Sequence, residues 1–84
     1  MESTVKNRVL VVDDEQSISD LVSTSLRFVG FDVRTAVTGA EALRVAEEFK
    51  PQAMVLDVML PDLNGFEVCE KIRNEGQDIG VLFL

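Results

Sequence analysis

The sequence predicts an α/β fold in which parallel strands alternate with helices. Three observations carry that expectation. Two short runs, RVLVV at 8–12 and AMVL at 53–56, are apolar without polar alternation and read as strands buried on both faces. Between the strand candidates lie stretches with apolar residues at three- and four-residue spacing, the mark of one helical face. The resulting order, β-α-β-α-β-α-β with helices of about 10–14 residues, implies right-handed crossovers and one parallel sheet.

Each element follows from local chemistry. Residues 1–7 are polar and are expected to form a flexible arm. The first strand covers 8–12 and runs into an acidic loop at 13–16. Ser17 is placed to cap a first helix whose apolar positions are Ile18, Leu21, Val22, Leu26 and Val29, and Gly30 ends it. Residues 31–36 form a short, more polar strand with Phe31, Val33 and Thr35 on one side, which suits a sheet edge. Thr38 and Glu41 have capping-box spacing for a second helix, with Ala42, Leu43, Val45, Ala46 and Phe49 apolar, stopped at Lys50-Pro51. After the strand at 53–56, the stretch Pro61-Asp62-Leu63-Asn64-Gly65 carries turn chemistry. Gly65 begins a third helix reaching Asn74, with Phe66, Val68, Cys69 and Ile72 apolar, and Gly76 breaks it. A fourth apolar strand covers 81–84.

Composition narrows the function. With 84 residues there is room for one domain with a thin core. Hydrophobic content of 46% with 27% charged residues is that of a globular chain. Eight basic against fifteen acidic residues give a net charge of -7, which argues against nucleic-acid binding by this segment. The single cysteine, Cys69, excludes an internal disulfide and reads as a buried helix residue. The absence of histidine excludes a His-based triad or a His-rich metal site. No signal-peptide pattern or membrane-length apolar run is present, so a cytoplasmic location is expected.

The chemistry points to the strand ends. Asp57 follows the run at 53–56, and Asp13, Asp14 and Glu15 follow the run at 8–12. In open α/β sheets ligands bind at the carboxyl ends of the strands, so neighbouring parallel strands would bring Asp13, Asp14 and Asp57 together. Two carboxylates about 4 Å apart repel by roughly 4 kcal/mol at an effective dielectric of about 20. A hard divalent cation such as Mg²⁺ offsets that repulsion, since it prefers a few carboxylate oxygens plus water. The bland reading of each acid alone is a helix cap or a solvated loop. No glycine-rich phosphate loop follows the first strand, which excludes the usual dinucleotide and P-loop sites. With Mg²⁺ bound, a carboxylate is a competent phosphoryl nucleophile.

VLVVDDE at 9–15, TGAEAL at 38–43 and KP at 50–51 before VLDVMLPDLNGFEV at 55–68 together resemble the receiver domain of a two-component response regulator. MLPDLNGFEV further resembles regulators whose second domain is a winged helix-turn-helix that binds DNA. The resemblance implies a flavodoxin-like (CheY-like) doubly wound sheet of spatial strand order 2-1-3-4-5. It implies that Asp57 is the phosphoacceptor. Asp14 would be the direct carboxylate ligand of Mg²⁺, Asp13 would act largely through a metal-bound water, and the backbone carbonyl of Met59 would be a further ligand. Pro61 and Gly65 would shape the loop beside the acceptor. The implied partners are a sensor histidine kinase and the chain's own output domain, with DNA reached only through that domain and no membrane. The implied role is that of a phosphoacceptor in transcription regulation rather than an enzyme.

Receivers also carry a Ser or Thr just after the fourth strand and a Lys after the fifth, whereas Leu84 is the last residue here. The expectation is therefore a receiver over 8–84, truncated after its fourth strand. An apolar fourth strand lacking its neighbour predicts self-association as a homodimer or a domain-swapped oligomer. Two other classes share parts of this pattern. A phosphotransfer enzyme of the haloacid dehalogenase type needs a second Asp two residues after the first, where Met59 stands. A receiver-like interaction module independent of phosphorylation would not need the set Asp13, Asp14 and Asp57.

Overall fold

The computed structural model describes residues 6–84. The chain runs β1 (Arg8–Val12), α1 (Gln16–Phe28), β2 (Asp32–Ala36), α2 (Gly39–Phe49), β3 (Ala53–Leu56), α3 (Gly65–Asn74) and β4 (Gly80–Phe83). The strands form one parallel sheet of order β2-β1-β3-β4. All seven elements are those expected from the sequence, and β2 is an edge strand as expected.

The sheet separates two apolar layers. Leu10, Val12, Ala36, Met54 and Leu56 face α2 and α3, which contribute Ala42, Val45, Ala46, Phe49, Val68, Cys69 and Ile72. Val9, Val11 and Val33 face the other way, with Val22 and Leu26 of α1 packed against them. Leu10, Val11 and Val12 are fully buried, as a central strand covered on both faces must be. β3 is less completely covered: Met54 and Leu56 are buried, whereas Ala53 and Val55 are half-buried.

Several local expectations are corrected. Of the proposed arm, residues 1–5 lie outside the described residues, while Asn7 is tied to the sheet: its carbonyl accepts from the Asp32 amide at 2.9 Å. Glu15, not Ser17, is the N-cap of α1, and Ser17 lies inside the helix. The expected apolar face of α1 is only partly correct. Val22 and Leu26 pack inward, but Ile18, Leu21 and Val29 are exposed, and Ser19 and Ser23 are buried instead. The small serines let the helix lie close on β1 and β2, and the Ser23 hydroxyl satisfies itself on the Ser19 carbonyl at 2.7 Å. Phe31 precedes β2 rather than lying in it, and Thr35 is exposed.

At α2 the Thr38 hydroxyl accepts from the Glu41 amide at 3.1 Å, but the Glu41 carboxylate accepts from Val37 at 2.8 Å rather than from Thr38. The reciprocal box occurs at α3, between Asn64 and Glu67. Lys50 ends α2 in the left-handed region at φ 54, although it precedes a proline. The Arg8 side chain donates to the Phe49 and Lys50 carbonyls at 3.0 and 2.9 Å, meeting the orphan acceptors of that helix end. On α3, Phe66 is exposed and its ring lies 4.7 Å from that of Phe83 of β4, tilted by 45°. Among the described residues no helix is long and apolar enough to cross a membrane.

Candidate functional site

Backbone pairing decides where the acids meet. Val12 of β1 stands opposite Leu56 of β3. The next residues, Asp13 and Asp57, therefore leave the sheet side by side at its carboxyl edge. Two further bonds fix the exits: the Asp13 amide donates to Ala36 at 3.1 Å, and the Asp57 amide donates to Val12 at 2.9 Å.

One carboxylate oxygen from each of Asp13, Asp14 and Asp57 lies within 4.8 Å of the others. The three acids nominated from the sequence are thus one cluster, graded in exposure. Asp13 is buried, Asp57 half-buried and Asp14 exposed. Asp13 accepts from the Glu15 amide at 2.9 Å, and Asp57 from the Met59 amide at 3.1 Å. Burial holds the Asp13 carboxyl above the usual carboxylate range, opposed by the Glu15 amide and reinforced by the charges of Asp57 and Asp14. A group of hard oxygen donors carrying uncompensated negative charge has the chemistry that suits Mg²⁺.

The loop from Asp57 to Gly65 folds back on itself. Met59 and Asn64 form an antiparallel bridge, and the Gly65 amide donates to the Val58 carbonyl at 2.7 Å. A Cβ on Gly65 would stand 2.6 Å from the Asp57 carbonyl oxygen, so only glycine permits this approach. Pro61 is exposed on the same loop, two residues beyond Met59.

Asp62, expected from the sequence only as part of a turn, makes a longer-range contact. Its carboxylate leaves the loop and accepts from Gly39 at 2.7 Å and Ala40 at 3.0 Å, at the start of α2. It also accepts from its neighbour Leu63 at 2.9 Å. The Ala40 amide first, and the Gly39 amide next, hold this carboxyl below its ordinary range. No local signal marks the contact, because the partners are separated by 23 positions in the chain.

Two clefts lie elsewhere. One of about 220 Å³ is lined by Leu43, Arg44, Glu47, Glu48 and Glu75, and one of about 260 Å³ includes Lys50, Gln52 and Asp78. Neither includes a member of the carboxylate cluster.

Residues 9–84 match the model of the response regulator receiver domain family. The chain is 48% identical over 80 residues to the alkaline phosphatase synthesis transcriptional regulatory protein PhoP of Bacillus subtilis, covering 95% of this chain and 33% of that protein. It is 44% identical over 77 residues to the response regulator MprA of Mycobacterium ulcerans, covering 92% of this chain and 33% of that one. The chain thus spans about a third of the length of these curated relatives. Among solved structures, the chemotaxis protein CheY4 of Vibrio cholerae superposes with a TM-score of 0.90 at 34% identity, over 94% of this chain and 68% of that one. The response regulator TrrA of Thermotoga maritima, solved in complex with Mg²⁺ and beryllofluoride, gives 0.85 at 34% identity, over 92% of this chain and 67% of that one. With its parallel sheet, its strand-end carboxylates and a family match over most of its length, the chain belongs to the response regulator receiver domain family.

Proposed function

We propose that Asp57 is the phosphoacceptor of a two-component system, charged by a sensor histidine kinase. Asp13, Asp14 and Asp57, with the Met59 backbone carbonyl, would hold the Mg²⁺ that the transfer uses. The observation that carries this reading is the convergence of three carboxylates within 4.8 Å at the end of two adjacent parallel strands. The fit to Mg²⁺ rests on the donor set, all hard oxygens, and on the burial of Asp13 beside two further carboxylates. Bound there, Mg²⁺ would neutralise charge on the transferring phosphoryl oxygens.

In the transfer, a carboxylate oxygen of Asp57 attacks the phosphorus of a kinase phosphohistidine. An O–P bond forms, the N–P bond breaks, and the imidazole leaves with the electron pair and takes up a proton. Half-burial suits Asp57 to this task, since a partner can reach the oxygen while the Met59 amide fixes its direction. Asp13 and Asp14 supply the neighbouring carboxylate oxygens for the metal. Pro61 and Gly65 shape the adjoining loop, Gly65 by allowing backbone against backbone.

Residues 8–84 would form the receiver domain. PhoP is named a transcriptional regulatory protein, and by analogy the phosphorylated receiver would control an attached DNA-binding output domain in the cytoplasm. Incubation with acetyl phosphate and Mg²⁺ tests the acceptor. The wild type should gain one acyl phosphate, and Asp57→Asn should gain none. Equal labelling of the two would remove Asp57 from the role.

A further inference from the structure

The loop that follows the acceptor is anchored at both ends and at its tip. Its ends are closed by the Met59–Asn64 bridge and by the Gly65 amide on Val58. Its tip is Asp62, whose two carboxylate oxygens accept separately from Gly39 and Ala40 of α2. The approach at that point is tight. A Cβ on Gly39 would stand 2.8 Å from the Leu63 Cβ, an atom near the backbone that can move only if the loop moves. The start of α2 and the tip of the acceptor loop are therefore built to fit each other.

The segment's own cap covers only part of the helix start, the Glu41 amide, and leaves the Gly39 and Ala40 amides to Asp62. Thr38 accepts from Glu41, and the Glu41 carboxylate takes the Val37 amide. Asp62 meets the two first amides of the helix from outside its own segment, and the favourable end of the helix dipole adds to those bonds. The same two bonds restrain the loop whose Met59 amide directs Asp57.

We propose that Asp62 is a positioning residue of the metal site: by clasping the start of α2 it holds the loop at 57–65 so that Asp57 and the Met59 carbonyl face Asp13 and Asp14. This rests on reading the cluster as a Mg²⁺ site. Residues that orient metal ligands from outside typically change metal affinity about 10- to 100-fold when removed. Asp62 touches no member of the cluster, so it acts through the backbone between.

The test compares Mg²⁺ affinity, melting temperature and amide hydrogen exchange across variants of this chain. Asp62→Ala should weaken Mg²⁺ binding about 10-fold and speed exchange at Met59 and Gly65 as well as at Gly39 and Ala40. Asp62→Asn, which keeps one acceptor oxygen, should recover part of the affinity. Gly39→Ala should also weaken binding, by displacing Leu63, although alanine favours the helix itself. Thr38→Ala should lower the melting temperature while leaving Mg²⁺ affinity within a factor of two of wild type. Unchanged Mg²⁺ affinity in Asp62→Ala would overturn the clasp alone. An equal loss of affinity in Thr38→Ala would also overturn it, since general destabilisation would then explain both. Failure of the wild type to bind Mg²⁺ would overturn the site assignment and the clasp together. A wild type that binds, with binding unaffected by Asp13→Asn and Asp57→Asn, would overturn the site assignment, whatever Asp62 does.

Discussion

The Asp57 amide donates to the Val12 carbonyl at 2.9 Å, so Asp57 leaves β3 locked to the residue that precedes Asp13 on β1. The side-by-side placement of the acids is thus a property of strand register, not of flexible loops. The pairing is further fixed by the backbone bonds that continue past the strand ends at Asp13 and Asp57.

The first prediction concerns the charge cluster. Without metal, Asp13→Asn should raise stability at neutral pH by about 1 kcal/mol. That is a fraction of the roughly 4 kcal/mol Coulomb figure for a close pair, because Asp14 and part of Asp57 reach solvent. The same variant should lose Mg²⁺-induced stabilisation. Thermal melts with and without Mg²⁺ check both signs.

The pH dependence of the metal-free chain follows from the direction of the Asp13 shift. Its folded-state affinity for a proton exceeds the ordinary value of 3.8, so ionisation costs stability. That cost is absent below 3.8 and complete once the pH has passed the raised value. The advantage of Asp13→Asn over wild type should therefore grow over that interval as pH rises, and saturating Mg²⁺, which stabilises wild type alone, should reverse it. Denaturant melts across the acid range measure it.

Asp62 has the opposite sign. Its amide partners lower its carboxyl below 3.8, so its contribution is present above that pH and is lost as pH falls through the lowered value. The stability advantage of wild type over Asp62→Asn should shrink below 3.8 and be flat above about 5. A paired acid titration of the two melts gives the answer.

The core prediction is on β1. Leu10 is fully buried between sheet and helices, and Leu10→Ala should cost about 2–5 kcal/mol. In a domain of this size that is a large share of a total of about 5–15 kcal/mol. Loss of a cooperative urea transition is the expected result.

Among the described residues β4 pairs with β3 alone; it exposes Leu82, with Phe83 partly exposed against Phe66 and Leu84 exposed just beyond the strand. An apolar open edge templates strand pairing with another copy. This chain is expected to self-associate with rising concentration, and Leu82→Lys should reduce that. Light scattering over a concentration series measures it; a monomer at all concentrations would contradict the expectation.

Much of this fold was legible in the sequence because strands buried on both faces announce themselves as unbroken apolar runs. β1 and β3 fell on those runs, and the acids at their ends met as expected. α1 was harder to orient. Its apolar spacing marked a helix, but packing close to β1 and β2 selected Ser19 and Ser23 for the buried side and left Leu21 and Val29 outside. Periodicity reports a face, and steric fit decides which side of it is turned inward. Asp62 was illegible for a different reason. A solvent-exposed Asp after a proline reads as turn chemistry, and its helix-capping partners become neighbours only once the sheet has formed.

The most direct measurement is beryllofluoride binding in the presence of Mg²⁺, read by chemical-shift changes at the amides of Asp13, Asp57 and Met59. The wild type should bind with shifts centred on these residues, and Asp57→Asn should not respond. A wild type that ignores beryllofluoride, or an Asp57→Asn variant that binds it equally well, would contradict the account.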